Sequence, residues 1–111
     1  MNDSMILFTR FGMGDAPVAL QQKLAGVFLT LLGKETPPGV IAFYGDGVRL
    51  ACEASPVIEQ LRALSDKGTR LIICQTCLEF FNLRDKVRVG IVGGMGDIVA
   101  AMQGAEKVVS V

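Results

Sequence analysis

The stretch that decides the fold is Leu71-Ile72-Ile73-Cys74-Gln75-Thr76-Cys77-Leu78-Glu79-Phe80-Phe81. An apolar run ends in a C-x-x-C, and an apolar-rich segment begins directly after it. This order is typical of a buried strand, a turn that carries two thiols and the start of a helix. The stretch therefore predicts that Cys74 and Cys77 lie at a junction between a strand and a helix.

Predicted strands and helices alternate along the rest of the chain. Apolar runs predict strands over residues 5–9, 40–44, 69–73, 87–92 and 107–111. Helical spacing of apolar residues predicts helices over residues 16–32, 56–67, 77–83 and 98–103. This alternation predicts a three-layer α/β/α fold with a five-stranded, mainly parallel sheet, and it makes residues 1–111 a single domain.

Particular residues are predicted to begin and end these helices. Asp15, Ser55 and Asp97 are expected as N-caps, because short polar side chains accept a hydrogen bond from the first helical amides. Gly33 and Gly104 are expected to end their helices. Spacing of three or four residues predicts an apolar inner face for the first helix, consisting of Leu20, Leu24, Val27, Phe28, Leu31 and Leu32.

Glycine loops follow three of the predicted strands, at residues 12–15, 45–47 and 93–97. Right-handed crossovers place the carboxyl ends of parallel strands at one edge of a sheet, so these loops should converge on the edge that carries the C-x-x-C. Glycine loops can bind an anion through their amides. The candidate binding groups are the amides of Gly12, Gly14, Gly45, Gly47, Gly94 and Gly96.

The anion signal is weak, because no loop matches a dinucleotide-binding or P-loop motif. The sequence Gly-Met-Gly-Asp occurs twice, at residues 12–15 and 94–97. Shared loop chemistry also explains the repeat, since glycine permits positive φ and aspartate caps helices.

Cys74 and Cys77 are the candidate catalytic residues. A thiol at a helix N-terminus is acidified, which favours the thiolate that attacks sulfane sulfur or a disulfide. This argument favours Cys77, and it leaves open persulfide carriage, with or without a resolving thiol, thiol–disulfide exchange and a structural role. Thioredoxins usually carry their motif after the first strand, whereas this one follows the third. Cys52, outside any motif, is expected to be a small buried side chain.

The composition excludes several classes of function. The 111 residues include 11 Lys and Arg, 11 Asp and Glu, and no His. There is no basic stripe for a nucleic acid and no apolar run of the roughly 18 residues that a membrane helix needs. Without histidine, Ser-His-Asp and Cys-His catalysis and imidazole metal ligands are absent. Three cysteines cannot complete a four-cysteine zinc site within one chain, so we expect neither a metal nor a cofactor.

Two further expectations concern the cellular setting. The odd number of cysteines and an N-terminus without a basic region predict a reducing, cytoplasmic compartment. Half of the residues are apolar in a chain this short, which predicts that some apolar surface is covered in a homo-oligomer.

A family resemblance spans nearly the whole chain. The segment Cys74-Gln75-Thr76-Cys77-Leu78-Glu79-Phe80-Phe81-Asn82-Leu83-Arg84-Asp85-Lys86-Val87-Arg88-Val89-Gly90 is similar to C-G-T-C-L-x-x-Y-x-L-x-D-K-x-x-V-G. Supporting matches occur at residues 12–15, 47–50 and 98–99. The chain thus resembles the DsrE-like sulfurtransferase-related proteins, most closely the C-terminal domain of YedF-type selenium-metabolism proteins. The resemblance implies a DsrEFH-like parallel sheet with the last strand beside the first.

The resemblance also implies a function, which is carrying sulfur, or selenium, as a cysteine persulfide. Related DsrE and TusD subunits use one cysteine at the end of the equivalent strand and assemble into oligomers. Motif position assigns that role to Cys74, whereas the helix-terminus argument favours Cys77. Gln75 replaces the family's usual glycine.

The resemblance and the glycine loops lead to two hypotheses. The chain contains no TusA-like domain with a C-P-x-P motif, so its sulfur donor and acceptor are expected to be separate proteins, with a TusA-like carrier as one candidate. The alternative function is a non-catalytic binding module for a small anion or nucleotide, in which the cysteines are structural.

Overall fold

Five strands and four α-helices alternate along residues 2–111, the part of the chain that this computed structural model describes. The strands are β1 (Ser4–Phe8), β2 (Val40–Phe43), β3 (Arg70–Cys74), β4 (Ile91–Gly93) and β5 (Lys107–Ser110). The helices are α1 (Val18–Lys34), α2 (Ile58–Asp66), α3 (Gln75–Phe80) and α4 (Met95–Gly104). Short 3₁₀ helices occupy Gly45–Ala51 and Arg84–Lys86.

All five strands are parallel and lie in the order β4-β3-β2-β1-β5. The predicted parallel sheet and the placement of the last strand beside the first are confirmed. From β1 to β4 the chain steps in one direction across the sheet, and α4 then returns it to β5. Right-handed crossovers therefore place α1 and α2 on one face and α4 on the other, which is the predicted three-layer α/β/α arrangement.

The core forms where β1 and β2 meet α1. Every residue of β1 from Met5 to Phe8 is at most 5% exposed, as expected for a strand covered on both faces. The Phe8 ring stacks on that of Phe43 with 5.7 Å between centroids, and Phe28 of α1 meets Phe8 edge-on at 6.3 Å. These aromatic contacts fix α1 against the carboxyl ends of β1 and β2.

The predicted ends of α1 were wrong at both termini. Pro17 is the N-cap, and the exposed Asp15 carboxylate lies 3.9 Å from Arg10 instead of capping the helix. The helix continues through Gly33 to Lys34. Gly33 lies against Leu64 of α2, and the Lys67 ammonium donates a hydrogen bond to the Gly33 carbonyl, so this glycine supports close helix packing rather than a stop.

The caps of α2 and α4 also differ from the prediction. Val57 is the N-cap of α2, and the Ser55 hydroxyl accepts a hydrogen bond from the Val57 N–H at 3.2 Å, just before the helix begins. Gly94 is the N-cap of α4, and Asp97 accepts the Gly94 N–H at 2.9 Å from the third helical position. Helix α4 does end at Gly104, as predicted, with this glycine as its last residue.

Two boundaries beside the thiol motif also shift. Helix α3 begins at Gln75, two residues before the predicted start. Strand β4 is shorter than predicted, because Val87 pairs with Cys52 in an isolated bridge and Gly90 then turns the chain with a φ of 86°. A side chain at Gly90 would collide with Ile73, so glycine is needed at this close approach.

The predicted apolar face of α1 is confirmed for Phe28 and Leu32, which pack against the core, and is wrong for its other four residues. Ala25 and Leu29 are the fully buried residues of this helix. Leu20, Leu24, Val27 and Leu31, here called the outer α1 face, are 46%, 42%, 55% and 53% exposed. Apolar residues surround most of α1, so the helical spacing is compatible with two different buried faces. The face that contains the small Ala25 side chain is the one that lies against the sheet.

Within residues 2–111, no helix combines the length and the apolar character that crossing a membrane requires.

Candidate functional site

The two motif cysteines occupy the first turn of α3. Cys74 is the last residue of β3 and the N-cap of α3, with an extended backbone (φ −65°, ψ 117°), and Cys77 is the third helical residue. N-cap and third-position side chains lie beside each other, which is the geometry a capping box uses. Cys74 is only 1% exposed, whereas Cys77 is partly exposed. The pair therefore consists of one sealed thiol and one that solvent reaches.

The loop after β2 contacts this pair directly. The Gly45 N–H donates a hydrogen bond to the Cys77 Sγ at 3.1 Å. Gly45 has a φ of 59°, a left-handed conformation that favours glycine, and β2 lies beside β3 in the sheet. Parallel neighbouring strands thus bring the end of one and the thiol turn of the other to the same edge.

A second contact holds the 3₁₀ helix Gly45–Ala51 against α3. The Arg49 guanidinium lies 4.4 Å from the centre of the Phe81 ring, and its Nε donates to Asp46 at 3.1 Å. This cation–π contact lies just beyond the end of α3. Arg49 is visible in the sequence only as part of a family match, because nothing in the spacing connects it to Phe81, 32 positions away.

The surroundings of Cys77 raise the pKa of its thiol. Burial is the largest influence and raises the pKa of Cys77, the Gly45 N–H lowers it in part, and the neighbouring Cys74 raises it again. The net effect is a raised pKa. The lowered pKa that a helix terminus predicts is therefore wrong, because burial of the thiol outweighs the hydrogen bond from the Gly45 N–H.

Cys52 is separate from the pair. It is 2% exposed, and its thiol donates a hydrogen bond to the Val48 carbonyl at 3.2 Å. Burial raises the pKa of Cys52, while the charges of Arg49 and Arg88 lower it in part. The expectation that this cysteine is a small buried side chain is confirmed.

Three of the six candidate loop amides already donate within the chain. The Gly45 N–H bonds to Cys77, the Gly47 N–H to the Tyr44 carbonyl, and the Gly94 N–H to Asp97. An anion at these positions would first have to displace an internal acceptor.

The other three amides differ in setting: Gly12 and Gly14 lie in the loop after β1, and Gly96 is the second residue of α4. Gly12 packs on the backbone of Gln21 in α1, where an added Cβ would lie 2.4 Å away. Gly14 and Gly96 are exposed. Among the six candidate glycines, Gly45 is thus the one whose amide N–H donates a hydrogen bond to a motif thiol. In the sequence the six glycines look equivalent, although the adjacency of consecutive parallel strands favours the loop after β2.

Cys, Asp and Glu side chains within residues 2–111 form no group of three that could hold a metal ion.

Comparison with known proteins identifies the class. A model of the DsrE/DsrF-like family matches residues 12–111, so the chain belongs to that family, and this membership points to a role related to sulfur relay. The predicted resemblance is confirmed at this level, and the closer likeness to YedF-type proteins stays a prediction. A search of curated protein sequences gave no significant match.

Three solved structures share the fold. The YchN protein from E. coli is 12% identical with a TM-score of 0.71, and the match covers 100% of both chains. MTH1491 from Methanobacterium thermoautotrophicum, described as a protein of unknown function, is 17% identical with a TM-score of 0.64, covering 97% of this chain and 98% of that one. BT1422 from Bacteroides thetaiotaomicron, also of unknown function, is 15% identical with a TM-score of 0.64, covering 98% and 95%. At these identities the similarity establishes the fold alone.

The Gly45 contact leads to a prediction about Cys77 reactivity. An alanine at Gly45 must adopt a φ of 59° and place its Cβ 3.1 Å from the Thr9 carbonyl oxygen, so the loop should shift and the N–H···S contact should lengthen. Losing this donor raises the pKa of Cys77 further. We therefore expect Gly45→Ala to slow iodoacetamide alkylation of Cys77 at pH 7.5 severalfold and to move the rise in rate to higher pH.

The measurement uses Cys52→Ser/Cys74→Ser protein, in which Cys77 is the remaining thiol. Gly96→Ala in the same background is the control, because apart from its own helix turn no atom lies within 4 Å of the added methyl group. Identical pH–rate profiles for the two glycine variants would show that the Gly45 amide does not tune this thiol.

Proposed function

We propose that this protein is a sulfur-relay protein that accepts sulfane sulfur on Cys77 and passes it to a partner. The assignment to Cys77 rests on the difference in exposure between the two thiols: Cys77 is partly exposed, whereas Cys74 is 1% exposed. The Cys77 Sγ also accepts a hydrogen bond from the Gly45 N–H at 3.1 Å. A donor protein can approach only the exposed thiol. The N–H donor also suits a sulfur atom that becomes negatively charged.

The transfer step uses ordinary thiol chemistry. The Cys77 thiolate attacks the outer sulfur of a donor persulfide, the donor's S–S bond breaks, and the donor's cysteine leaves as a thiolate. Cys77 then holds the persulfide. Because the pKa of Cys77 is raised, its thiol first loses its proton to solvent, and the donor thiolate released by the attack takes a proton from solvent in turn. Both donor and acceptor are separate proteins in this proposal, with a TusA-like carrier as one candidate.

Mass spectrometry after incubation with a persulfide donor tests the assignment. The comparison includes Cys77→Ser, Cys74→Ser and, as the matched control for removing a buried thiol, Cys52→Ser. Directly after loading, we expect an adduct of one sulfur atom on Cys77 in the Cys74→Ser and Cys52→Ser proteins and none in Cys77→Ser. An undiminished adduct in Cys77→Ser would move the carrier to another thiol.

A different result would favour the binding module. If no variant acquires sulfur but phosphate or a nucleotide raises the melting temperature of Cys77→Ser and wild type equally, anion binding is the better account of the glycine edge.

We also propose that the protein is a homo-oligomer and that the outer α1 face lies in its interface. Leu20, Leu24, Val27 and Leu31 follow one another at intervals of four, three and four residues, the spacing of a helix seam that packs against another helix. The seam borders a groove between α1 and α2, lined by Val27, Leu31 and Val57 among others. An apolar strip of this kind on both copies suits a two-fold interface, in which one surface meets itself.

A further inference from the structure

We propose that Cys74 is a resolving thiol: it attacks the Cys77 Sγ of the loaded protein, forms a Cys74–Cys77 disulfide and releases the carried sulfur as hydrosulfide. This inference rests on the proposed function, because it needs sulfane sulfur on Cys77. It adds a second outlet for that sulfur, one that requires no acceptor protein.

The position of Cys74 limits what its thiol can reach. Its backbone is held at the end of β3 by pairing with Gly93, and only 1% of the residue is exposed. Neither a donor nor an acceptor protein can approach a thiol sealed in this way. The adjacent first-turn position belongs to Cys77, which is close enough for Cys74 to influence its proton affinity. The Cys77 sulfur is therefore the available target for Cys74.

The same geometry selects which sulfur of a persulfide is attacked. The Cys77 Sγ has Gly45 and Cys74 on its protein sides, so an added outer sulfur must extend toward the exposed side. Attack by Cys74 then meets the inner sulfur, with the outer one on the opposite side as the leaving group. Thiol–disulfide exchange proceeds by this arrangement of attacking, central and leaving sulfur atoms.

The step balances without an external oxidant. The Cys74 thiol gives up its proton and bonds to the Cys77 Sγ, and the bond between that Sγ and the outer sulfur breaks. The bonding electrons leave with the outer sulfur, which takes the Cys74 proton and departs as hydrosulfide. The two cysteines are oxidised to a disulfide while the sulfane sulfur is reduced. A dithiol reductant must then open the disulfide before the next cycle.

Release of hydrosulfide through Cys74 determines which class of reaction can use the released sulfur. Transfer to an acceptor thiol delivers sulfane sulfur, which is an electrophile, whereas release through Cys74 delivers hydrosulfide, which is a nucleophile. A consumer of this second product must therefore catalyse attack by sulfide on an electrophilic carbon or a metal centre.

The experiment follows loaded protein in the absence of any acceptor or reductant. Wild type, Cys74→Ser, Cys74→Ala and the control Cys52→Ser are loaded with a persulfide donor, freed of it, and sampled over time. Intact mass reports the sulfur adduct and the loss of two hydrogen atoms on disulfide formation, and a colorimetric assay reports sulfide. The alanine variant covers the case in which a buried hydroxyl at position 74 impairs folding.

We expect wild type and Cys52→Ser to lose the adduct, gain a Cys74–Cys77 disulfide and release one sulfide per disulfide. Both Cys74 variants should keep the adduct at least tenfold longer. Equal retention in all four proteins, or sulfur found on Cys74 without sulfide release, would overturn the resolving role and leave persulfide carriage intact. If no protein acquires sulfur, the proposed function itself fails, so the two failures are distinguishable.

Discussion

Replacing Gly47 by alanine should lower the free energy of unfolding by about 3 kcal/mol or more, because an added methyl group would overlap the backbone of β1. An ideal Cβ at Gly47 lies 2.0 Å from the Phe8 carbonyl oxygen and 2.6 Å from its carbon. That oxygen accepts the Tyr44 N–H at 3.1 Å, so it cannot move aside without disturbing the contact between β1 and the end of β2. The strain must spread into the core around Phe8.

Chemical denaturation with far-ultraviolet circular dichroism measures this effect. Gly96→Ala in α4 is the matched control, because it places the same methyl group in open space within a helix. Its expected effect is a stabilisation of roughly 0.5–1 kcal/mol from the reduced backbone entropy of alanine. If the Gly47→Ala protein were as stable as wild type, the 3₁₀ helix could move away from β1 with little loss of free energy of unfolding. Since Gly45 belongs to the same 3₁₀ helix, the variant should also weaken the Gly45–Cys77 contact.

The sheet was predictable because its signals are local. Strands β1, β2 and β3 are short apolar runs with turn residues at both ends, and burial on both faces removes the ambiguity of an alternating pattern. The alternation of strands with helices then restricts the topology to parallel arrangements. The junction that places Cys74 and Cys77 at the carboxyl edge follows from the same signals.

The caps were less predictable, because each depends on the path of the chain rather than on residue type. Asp15 and Asp97 stand in identical Gly-Met-Gly-Asp segments, yet the Asp97 side chain bonds the amide of Gly94 and the Asp15 side chain extends into solvent. The difference is that α4 begins inside its segment at Met95, whereas α1 begins three residues after Asp15.

The chemistry of the site could be predicted in part. Residue types placed both thiols together, but their burial decides which one a partner can reach, and burial depends on the packing of the whole α3 turn. The pKa of Cys77 was misjudged for the same reason. A helix terminus is visible in a sequence, whereas the desolvation that outweighs it is visible only in the fold.

The outer α1 face leads to the second large expected effect. In the proposed interface, Leu24→Gln/Val27→Gln should convert the oligomer to a monomer without unfolding the chain. Replacing each half-exposed side chain removes about 1 kcal/mol of apolar burial from the free energy of association. A two-fold interface contains four such side chains, so association should weaken by about 4 kcal/mol, or roughly a thousandfold. Because Leu24 and Val27 are 42% and 55% exposed, about half of each side chain also packs within the monomer, so the free energy of unfolding of the monomer should fall by about 2 kcal/mol.

Size-exclusion chromatography with light scattering, over a range of protein concentrations, measures the assembly. Phe80→Gln is the control, because Phe80 is an apolar residue with 83% exposure that lies outside α1. Dissociation caused by Phe80→Gln but not by the α1 variant would place the interface beside α3, and a wild-type protein that is monomeric at every concentration would refute self-association. If the α1 variant alone dissociates, its persulfide loading shows whether Cys77 acts within one chain or requires a neighbouring copy. Equal loading in monomer and oligomer would make each chain a complete sulfur carrier.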